Sequence, residues 1–312
     1  MTGLFAEIRA RAAEIVEHAR SVRFDEAGLA AFAARLREER AEAPAWDATT
    51  HHRGTPASTL AYVFTLDAIN FGSGWFPTLR KRPGRSGYYT VAMGLKDHFD
   101  RAGAWRAAEL AQLAPEDLAR VLGQRLEDPE VAELMALFAR ALNDLGRLLA
   151  ERHQGRFEGL VEEAAGSAER LVRALARMPL FRDVPFYKRA QITVADLALA
   201  FEGQGPGRFA DLDELTAFAD NLVPHVLRME GALRYAPELE KRIEAGDLLE
   251  TGSPEEVEIR AAGLHGVERL VAAIRDAGGR TTAREIDFVL WHRGQRPELK
   301  ARPRHRTRCA YY

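Results

Sequence analysis

Two adjacent cations, Lys188 and Arg189, open the apolar segment PFYKRAQITVADLALAFEG directly after two aromatic residues. Cations in the first turn of a helix add to the positive end of its dipole, which is a common setting for an anion site. A phosphate monoester would suit such a site. Arg189 and Asp196 are seven residues apart and fall on nearly one helix face, so the pattern alone favours a solvent-exposed face with a spaced ion pair.

The carboxylate of Asp220 lies in the segment DELTAFADNLVPHVLR, four residues before Pro224. Apolar residues at helical spacing predict a buried stripe and place Asp220 away from its centre, at the surface. Because Pro224 has no N–H to bond the carbonyl of Asp220, we expect the helix to kink or end there. A carboxylate at such a break can project into a cavity, so Asp220 is a catalytic candidate, although an ordinary surface position is the commoner case.

An aromatic turn, LDAINFGSGWFPTL, could form a nucleobase pocket. Its glycines at 72 and 74 let the backbone approach a ligand closely, and the aromatic, amide and carboxylate groups match the stacking surfaces and polar edges of a base. The residues concerned are Asp67, Asn70, Phe71 and Trp75. A core helix that ends in an aromatic loop is the commoner explanation of the same pattern.

Neither a metal site nor a standard nucleotide motif is predicted. His51 and His52 are adjacent, and adjacent residues rarely bind one metal ion. The sequence lacks a glycine-rich phosphate loop and a Gly-x-Ser-x-Gly motif. The basic C-terminal segment, residues 300–312, is predicted to be solvated, with folding back as the alternative.

The elements that must position these residues are mainly helices. Helical spacing recurs from Phe5 onward, Ser253 and Thr282 are predicted N-caps, and glycine-rich stops lie at 203–207 and 277–279. The one strand signal is GYYTVAMG, Gly87–Gly94. We therefore predict an all-α fold with at most one small β element and a long irregular loop at about 43–57.

Composition limits the class of protein. The chain has 312 residues, 46% of them hydrophobic, and a net charge of -2, which argues against a protein that grips long nucleic acid. Its one cysteine, Cys309, excludes an intrachain disulfide. The start has no signal-peptide pattern and no apolar run is long enough to span a membrane. We predict a single domain over 1–312, with N-terminal helices within 1–45 packed on its core, in a monomeric cytoplasmic protein.

Several long strings, taken in order from residue 67 to the C-terminus, resemble the queuosine-salvage family, whose members are queuosine 5'-phosphate N-glycosylases. They are NF followed by Trp75, FYKRAQITVADL, FADNLVPHVLR, EEVEIRAAGLHGVERL, DFVLWHRG and HRTRCAYY. The first ~45 residues match only as a helical pattern. In the aromatic turn, residues 72–74 make a longer spacer than the family pattern, so whether Phe71 or Trp75 stacks on a base stays open.

The resemblance implies a helical fold similar to that of helical DNA glycosylases, a free nucleotide substrate, release of queuine, and no metal or organic cofactor. It makes Asp220 the catalytic carboxylate and Lys188 its cationic companion. Cleavage of an N-glycosidic bond passes through a ribosyl cation, which a carboxylate stabilises. Queuine is a 7-deazaguanine and has no N7 to protonate, which is the usual way to improve a leaving purine. More of the catalysis must therefore come from stabilising the positive charge on the ribose.

The remaining site assignments are hypotheses built on that resemblance. Lys188 pairs with Asp220, Arg189 and His51 hold the 5'-phosphate, and Asp67 or Glu258 pairs with the amine of queuine. Asn70, Phe71, Trp75, Asp196 and Trp291 complete the predicted substrate-binding set.

Two alternatives stay open. A DNA base-excision glycosylase is disfavoured by the charge balance and by the lack of a glycine-rich hairpin between helices. A non-enzymatic helical adaptor that binds RNA or a partner through the basic tail would tolerate loss of Asp220.

Overall fold

The computed structural model describes residues 3–39 and 45–312. Up to residue 153 the helices are α1 (Leu4–Glu17), α2 (Glu26–Glu38), α3 (Pro56–Ala68), α4 (Gly87–Ala102), α5 (Ala107–Leu110), α6 (Pro115–Leu122) and α7 (Pro129–His153). They continue with α8 (Glu158–Ala164), α9 (Ala168–Leu175), α10 (Lys188–Ala200), α11 (Val223–Met229), α12 (Pro237–Ala245), α13 (Pro254–Asp276), α14 (Ala283–Gly294) and α15 (Pro297–Lys300). The prediction of a mainly helical fold is confirmed.

One small sheet accompanies the helices. Strands β1 (Val22–Phe24) and β2 (Leu233–Tyr235) pair antiparallel, with Val22 opposite Tyr235 and Phe24 opposite Leu233. This is the small β element that the fold class allowed, but it lies at a different place in the sequence from the one predicted.

The predicted strand Gly87–Gly94 is wrong, because this segment forms the first half of α4. The Ser86 hydroxyl accepts a hydrogen bond from the Tyr89 N–H at 3.3 Å and so caps the helix. Most of the buried positions recur every three or four residues, which is the period of a helix and not of a strand. The buried residues are Gly87, Thr90, Val91, Ala92, Gly94, Leu95 and Phe99. Aromatic and β-branched residues raised the strand signal, and packing of this face overrode it.

The other local signals hold. Ser253 accepts from the Glu256 N–H, and Thr282 with Glu285 forms a complete capping box. Helices α10 and α13 end before the glycine-rich stops at 203–207 and 277–279. Chain without helix or strand runs from residue 45 to the start of α3, while residues 43 and 44 of the predicted loop lie outside the described residues.

The chain divides into two compact units, each built from separated segments. The terminal unit consists of Met1–Pro44, Val184–Lys188 and Asp213–Arg308, and the middle unit of Ala45–Asp183, Arg189–Leu212 and Cys309–Tyr312. The boundary inside α10 falls after Lys188. The prediction of a single domain over 1–312 stays a prediction.

Helix α13 is the centre of the terminal unit, where α1, α2, α11 and α14 pack against it. Two glycines of α13 permit the close approach of α11. A Cβ at Gly263 would lie 3.0 Å from the Pro224 ring, and one at Gly266 would lie 2.8 Å from Leu227. The start of α11 is therefore fixed on a rigid support.

The middle unit is organised around α7, which packs against α3, α5, α6 and α8. Its core contains fully buried side chains on α3 and α7, among them Tyr62, Phe64, Phe138 and Leu142. No helix in residues 3–39 and 45–312 has the length and apolar character needed to cross a membrane.

The basic tail is packed rather than solvated. Its side chains at His305 and Thr307 are buried. The Leu249 N–H donates to the Arg306 carbonyl at 2.9 Å, and the Thr251 hydroxyl donates to the Arg308 carbonyl at 3.1 Å. The expectation of a solvated tail is therefore wrong for residues 305–308, because hydrogen bonds from Leu249 and Thr251 hold this part of the tail within the terminal unit.

Candidate functional site

The Asp220 carboxylate is buried immediately before α11. Its Oδ1 accepts hydrogen bonds from the Leu222 N–H at 2.8 Å and the Val223 N–H at 3.0 Å, and the residue is only 9% exposed. These two hydrogen bonds fix the orientation of the carboxylate at the start of α11. The prediction of a surface carboxylate is wrong.

The predicted helix break at Pro224 is also corrected. The segment before it forms a short 3₁₀ turn, Leu212–Glu214, and then irregular chain as far as residue 222. Pro224 lies in the first turn of α11, where its missing N–H is not needed and its fixed φ suits the helix. The proline starts a helix here and does not interrupt one, and Asp220 satisfies two of the helix's first N–H groups.

Neighbouring residues fix the loop that carries Asp220. Arg260 of α13 donates from Nε to the Ala219 carbonyl at 3.0 Å, and its guanidinium lies 4.4 Å from the centre of the Phe186 ring. The Asn221 side chain donates to the His305 carbonyl at 3.2 Å. The loop is thus held on one side by α13 and on the other by the C-terminal segment.

A second carboxyl group, Asp287 of α14, lies beside this loop. It is 4% exposed, and its Oδ1 accepts from the Phe218 N–H at 2.8 Å. Burial, and then the negative charge of Asp220, raise the pKa of Asp287 well above its ordinary value, against the opposing effects of the Phe218 N–H and the positive charge of Lys188. Asp287 therefore holds a proton under conditions in which an exposed aspartate is ionised.

Asp220, Lys188 and Asp287 form one electrostatic cluster in the terminal unit, since the charges of the first two both act on the third. Lys188 itself is buried, at 6% exposed. An anionic carboxylate, a protonated carboxyl group and an ammonium group in one place can stabilise a cation and exchange a proton. The prediction that Lys188 accompanies Asp220 is consistent with this arrangement.

Arg304, from the C-terminal segment, adds another cation near Asp220. Burial lowers the pKa of Arg304, and the negative charge of Asp220 opposes that shift. Sequence reasoning missed both Arg304 and Asp287. Asp287 lies between Ile286 and Leu290 on a buried helix face, and a carboxylate within an apolar stripe was a readable signal. No signal in the sequence singled out Arg304, because it is one of several arginines that alternate along the C-terminal segment.

Glu258 and Trp291 also belong to the terminal unit. The two oxygens of Glu258 accept from the Arg20 N–H at 3.1 Å and the Ser21 N–H at 2.7 Å, so this carboxylate holds the chain that leads into β1. Its predicted pairing with the amine of queuine receives no support from these contacts. Trp291 is half-buried and meets the His292 ring at 5.1 Å between centroids.

Arg189 lies in the middle unit, where it has a structural environment. Its guanidinium donates to the carbonyls of Asp67, Ala68 and Leu180, the second at 2.6 Å, and lies between the rings of Phe71 and Phe181. The side chain is 1% exposed. Burial lowers the pKa of Arg189 to about 10, opposed by the charges of Asp183 and Asp67, so it stays charged at neutral pH. These contacts favour a core cation over the predicted phosphate ligand.

The aromatic turn is packed into the middle unit. Trp75 is buried and donates from Nε1 to Glu133 at 2.7 Å, and Phe71 is buried edge-on against Phe138 at 5.0 Å between centroids. The N–H groups of residues 72 and 73 donate to the Tyr312 carbonyl. Both rings are core residues in this arrangement, which gives no support to either as the base-stacking surface.

The polar residues of the same region are Asp67, Asn70 and Asp196. Asp67 is fully buried, and its Oδ1 accepts from the Asn70 side chain at 3.2 Å. Asp196 is half-buried on α10. Burial of Tyr88 is the main cause that raises the pKa of its hydroxyl, and the negative charge of Asp196 is the second.

His51 is buried beside Tyr88. Its Nε2 lies 2.8 Å from the Tyr88 hydroxyl, and its ring packs on Trp46 at 4.6 Å between centroids. Burial lowers the pKa of His51, against the opposing effect of Asp47, so the imidazole is neutral at pH 7. A carbonyl oxygen only accepts, so Nδ1 of the neutral ring, 3.2 Å from the Asp47 carbonyl, carries the proton, and Nε2 accepts from the Tyr88 hydroxyl. Tyr88 was not predicted as a neighbour of His51, because its segment was assigned to a strand.

Comparison with known proteins identifies the family of this chain. A family model described as queuosine salvage protein matches residues 50–312, which include every residue of the cluster around Asp220. The chain belongs to the queuosine salvage protein family.

Curated relatives of this family are similar over nearly the whole chain. The queuosine 5'-phosphate N-glycosylase/hydrolase of Sphaerobacter thermophilus is 38% identical over 311 residues, covering 96% of this chain and 95% of the relative. The protein of the same name from Bos taurus is 32% identical and covers both chains fully. A third, from Schizosaccharomyces pombe, is 30% identical over 77% of this chain and 76% of the relative. The similarity therefore spans both compact units.

Among the residues that the structure describes, no group of three or more His, Cys, Asp or Glu side chains is arranged to hold a metal ion.

Proposed function

We propose that this protein hydrolyses the N-glycosidic bond of queuosine 5'-monophosphate and releases queuine and ribose 5-phosphate. The observation that carries the proposal is the Asp220 carboxylate, fixed by two N–H groups within the FADN string that resembles the family's catalytic motif. Its charge, together with burial, raises the pKa of Asp287. Relatives named for this activity align over nearly the full length of the chain. Released queuine would then be available for salvage into tRNA.

In this proposal Asp220 faces the anomeric carbon of the ribose. As the bond to the base stretches, positive charge builds on the ribosyl ring, and a carboxylate already fixed by two N–H groups stabilises it without reorganising. Water then adds to C1', and a carboxylate at that position can take its proton. Lys188 and Arg304 balance the local negative charge and keep the carboxylate in place.

Asp287 takes a different part. Its carboxyl group keeps a proton, so it can donate a hydrogen bond to the edge of the departing base as negative charge builds there. A 7-deazaguanine has carbon in place of N7, which removes the usual protonation site of a leaving purine. Two aspartates with opposite protonation states, set by their surroundings, would thus act on the sugar and the base respectively.

The other substrate contacts stay predictions. That His51 contacts the phosphate stays a prediction, and in the present structure the one N–H of its neutral ring donates to the Asp47 carbonyl. For Arg189 we favour a structural role, because its guanidinium is already bonded to three carbonyls. A monomeric, cytoplasmic enzyme that needs no cofactor also remains part of the proposal.

Product identification tests the proposal. Purified protein incubated with queuosine 5'-monophosphate should release queuine and ribose 5-phosphate in equal amounts, as measured by liquid chromatography and mass spectrometry. Queuosine lacking the phosphate should be cleaved with a much lower kcat/KM, because binding energy from the phosphate helps to position the sugar. Absence of queuine release would refute the proposal. Salt-sensitive binding to duplex DNA at micromolar concentration would instead favour the alternative of a DNA glycosylase.

A further inference from the structure

A serine, a histidine and an aspartate lie in line within the middle unit, and none of them belongs to the cluster around Asp220. The Ser58 hydroxyl is 2.7 Å from Nε2 of His52. On the other side of the ring, Nδ1 of His52 is 2.5 Å from Oδ1 of Asp100. This is the order of contacts that activates a serine nucleophile: hydroxyl to imidazole, and imidazole to carboxylate.

The contacts determine which ring nitrogen carries the proton. A carboxylate only accepts hydrogen bonds, so Nδ1 of a neutral His52 must carry the proton and donate it to Asp100. Nε2 then presents its lone pair to the Ser58 hydroxyl, which becomes the donor. Lys96 also pairs with the Asp100 carboxylate through its other oxygen, so the carboxylate is held by both the lysine and the histidine.

The histidine is held in place by its surroundings. It is 7% exposed, and its ring packs against Tyr62 and Phe99 at 5.7 and 5.5 Å between centroids. The Trp46 indole N–H donates to its carbonyl at 3.2 Å. A base whose position is fixed by packing needs little reorganisation when a proton moves.

Access to the hydroxyl comes from the start of α3. Ser58 is half-buried in the first turn of that helix, next to Ala57, an exposed residue whose N–H is one of the first of the helix and so has no acceptor within the helix. Gly54 borders the same edge, where a Cβ would lie 2.7 Å from Nε2 of His52 and 3.4 Å from the Ser58 hydroxyl. The glycine at 54 therefore adds no side chain of its own over the edge between Nε2 and Oγ.

We propose that Ser58, His52 and Asp100 form a second hydrolytic site, which acts on esters of small carboxylic acids. Ser58 Oγ attacks the ester carbonyl carbon while its proton passes to Nε2 of His52. The carbon–oxygen bond to the alcohol breaks, and the departing alcohol takes that proton. Water then attacks the acyl-serine with His52 as the base, which releases the carboxylic acid and restores the hydroxyl. The Ala57 N–H and the positive end of α3 stabilise the oxyanion in both steps.

A purely structural network is the competing explanation, in which the same contacts only anchor the loop before α3. The two explanations differ in nucleophilicity. A serine that is only a structural donor reacts no faster than others on the surface, whereas a serine polarised by an oriented imidazole reacts selectively with acylating and phosphonylating reagents.

The test uses the full-length protein with p-nitrophenyl acetate and a fluorophosphonate probe. We expect ester hydrolysis and a covalent label on the peptide that contains Ser58. Ser58→Ala should remove the label and lower the rate about a hundredfold or more. Asp100→Asn should lower it by a similar factor, because the amide carries no negative charge to stabilise the imidazolium and can hold His52 in the wrong tautomer. The thermal unfolding curve of each variant reports whether it is folded.

Ser167→Ala is the matched control. Ser167 is a helix N-cap whose hydroxyl lies 3.0 Å from Asp211 without any imidazole contact, so this variant should keep the full rate. The proposal is overturned if the wild-type protein hydrolyses the ester no faster than Ser58→Ala, or if the probe labels other residues and not Ser58. Neither result bears on glycosylase activity, so the two proposals fail independently.

Discussion

Replacement of Asp220 by asparagine separates the charge of this side chain from its structural contacts. The Oδ1 atom of asparagine can still accept from the N–H groups of Leu222 and Val223, which Asp220 bonds at 2.8 and 3.0 Å. Asp220→Asn should therefore fold normally. Asp220→Ala, in contrast, leaves two N–H groups without their acceptor and should cost roughly 1–2 kcal/mol of stability, as the loss of a helix cap does.

The expected loss of activity follows from the charge alone. One preorganised group that stabilises transition-state charge contributes about 3–4 kcal/mol, so kcat of Asp220→Asn should fall by about 10²–10³. A second effect follows from the structure. Because the charge of Asp220 raises the pKa of Asp287, its removal should lower that pKa, and the alkaline limb of the rate profile should move to lower pH.

The assay is the initial rate of queuine release at saturating queuosine 5'-monophosphate, measured from pH 5 to 10. Asp25→Asn is the matched control, since Asp25 also accepts a backbone N–H at a helix start in the terminal unit and should leave kcat unchanged. An Asp220→Asn variant that retains kcat within about threefold of the wild type would show that this charge does not stabilise the transition state, because a threefold change corresponds to less than ~1 kcal/mol.

Two further predictions concern buried charges. Asp287→Asn should raise the thermal stability at pH 7 and lose that advantage towards pH 4. The pKa of folded Asp287 is raised, so the wild type loses stability as the pH rises above about 3.9, the ordinary pKa of an unfolded aspartate, whereas asparagine does not titrate. Equal unfolding temperatures for both proteins at pH 7 would contradict the raised pKa. Arg189→Lys should lower the urea midpoint of unfolding by an amount equivalent to ~2–4 kcal/mol. Lysine lacks the planar guanidinium group with which Arg189 reaches three carbonyls. An unchanged midpoint together with a raised KM for the nucleotide would instead support Arg189 as a ligand of the 5'-phosphate.

The helical class and many helix ends could be predicted from the sequence because they depend on short-range interactions. Ser253 and Thr282 cap their helices through residues three positions away, and the buried stripe of α2 follows from the spacing of Leu29, Phe32, Ala33 and Leu36. The family resemblance was readable for a similar reason, since it resides in contiguous strings.

Local signals failed where packing decided between two structures. The strand predicted at Gly87–Gly94 became a helix because one face of it is buried. The helix predicted across Asp220 is instead a loop, and a helix begins only at α11, which has Pro224 in its first turn. The reason is that α11 packs closely on the glycines of α13.

The sequence by itself determined a helical chain of this family and identified Asp220 and Lys188 as the residues to examine. Only the tertiary structure decided that Asp220 is buried, that Asp287 joins it from α14, and that the basic tail supplies Arg304. The physical reason is that the protonation of a buried group depends on its distance to charges far away in the sequence. Asp220 and Asp287 are separated by more than sixty residues, and no local pattern encodes that they meet.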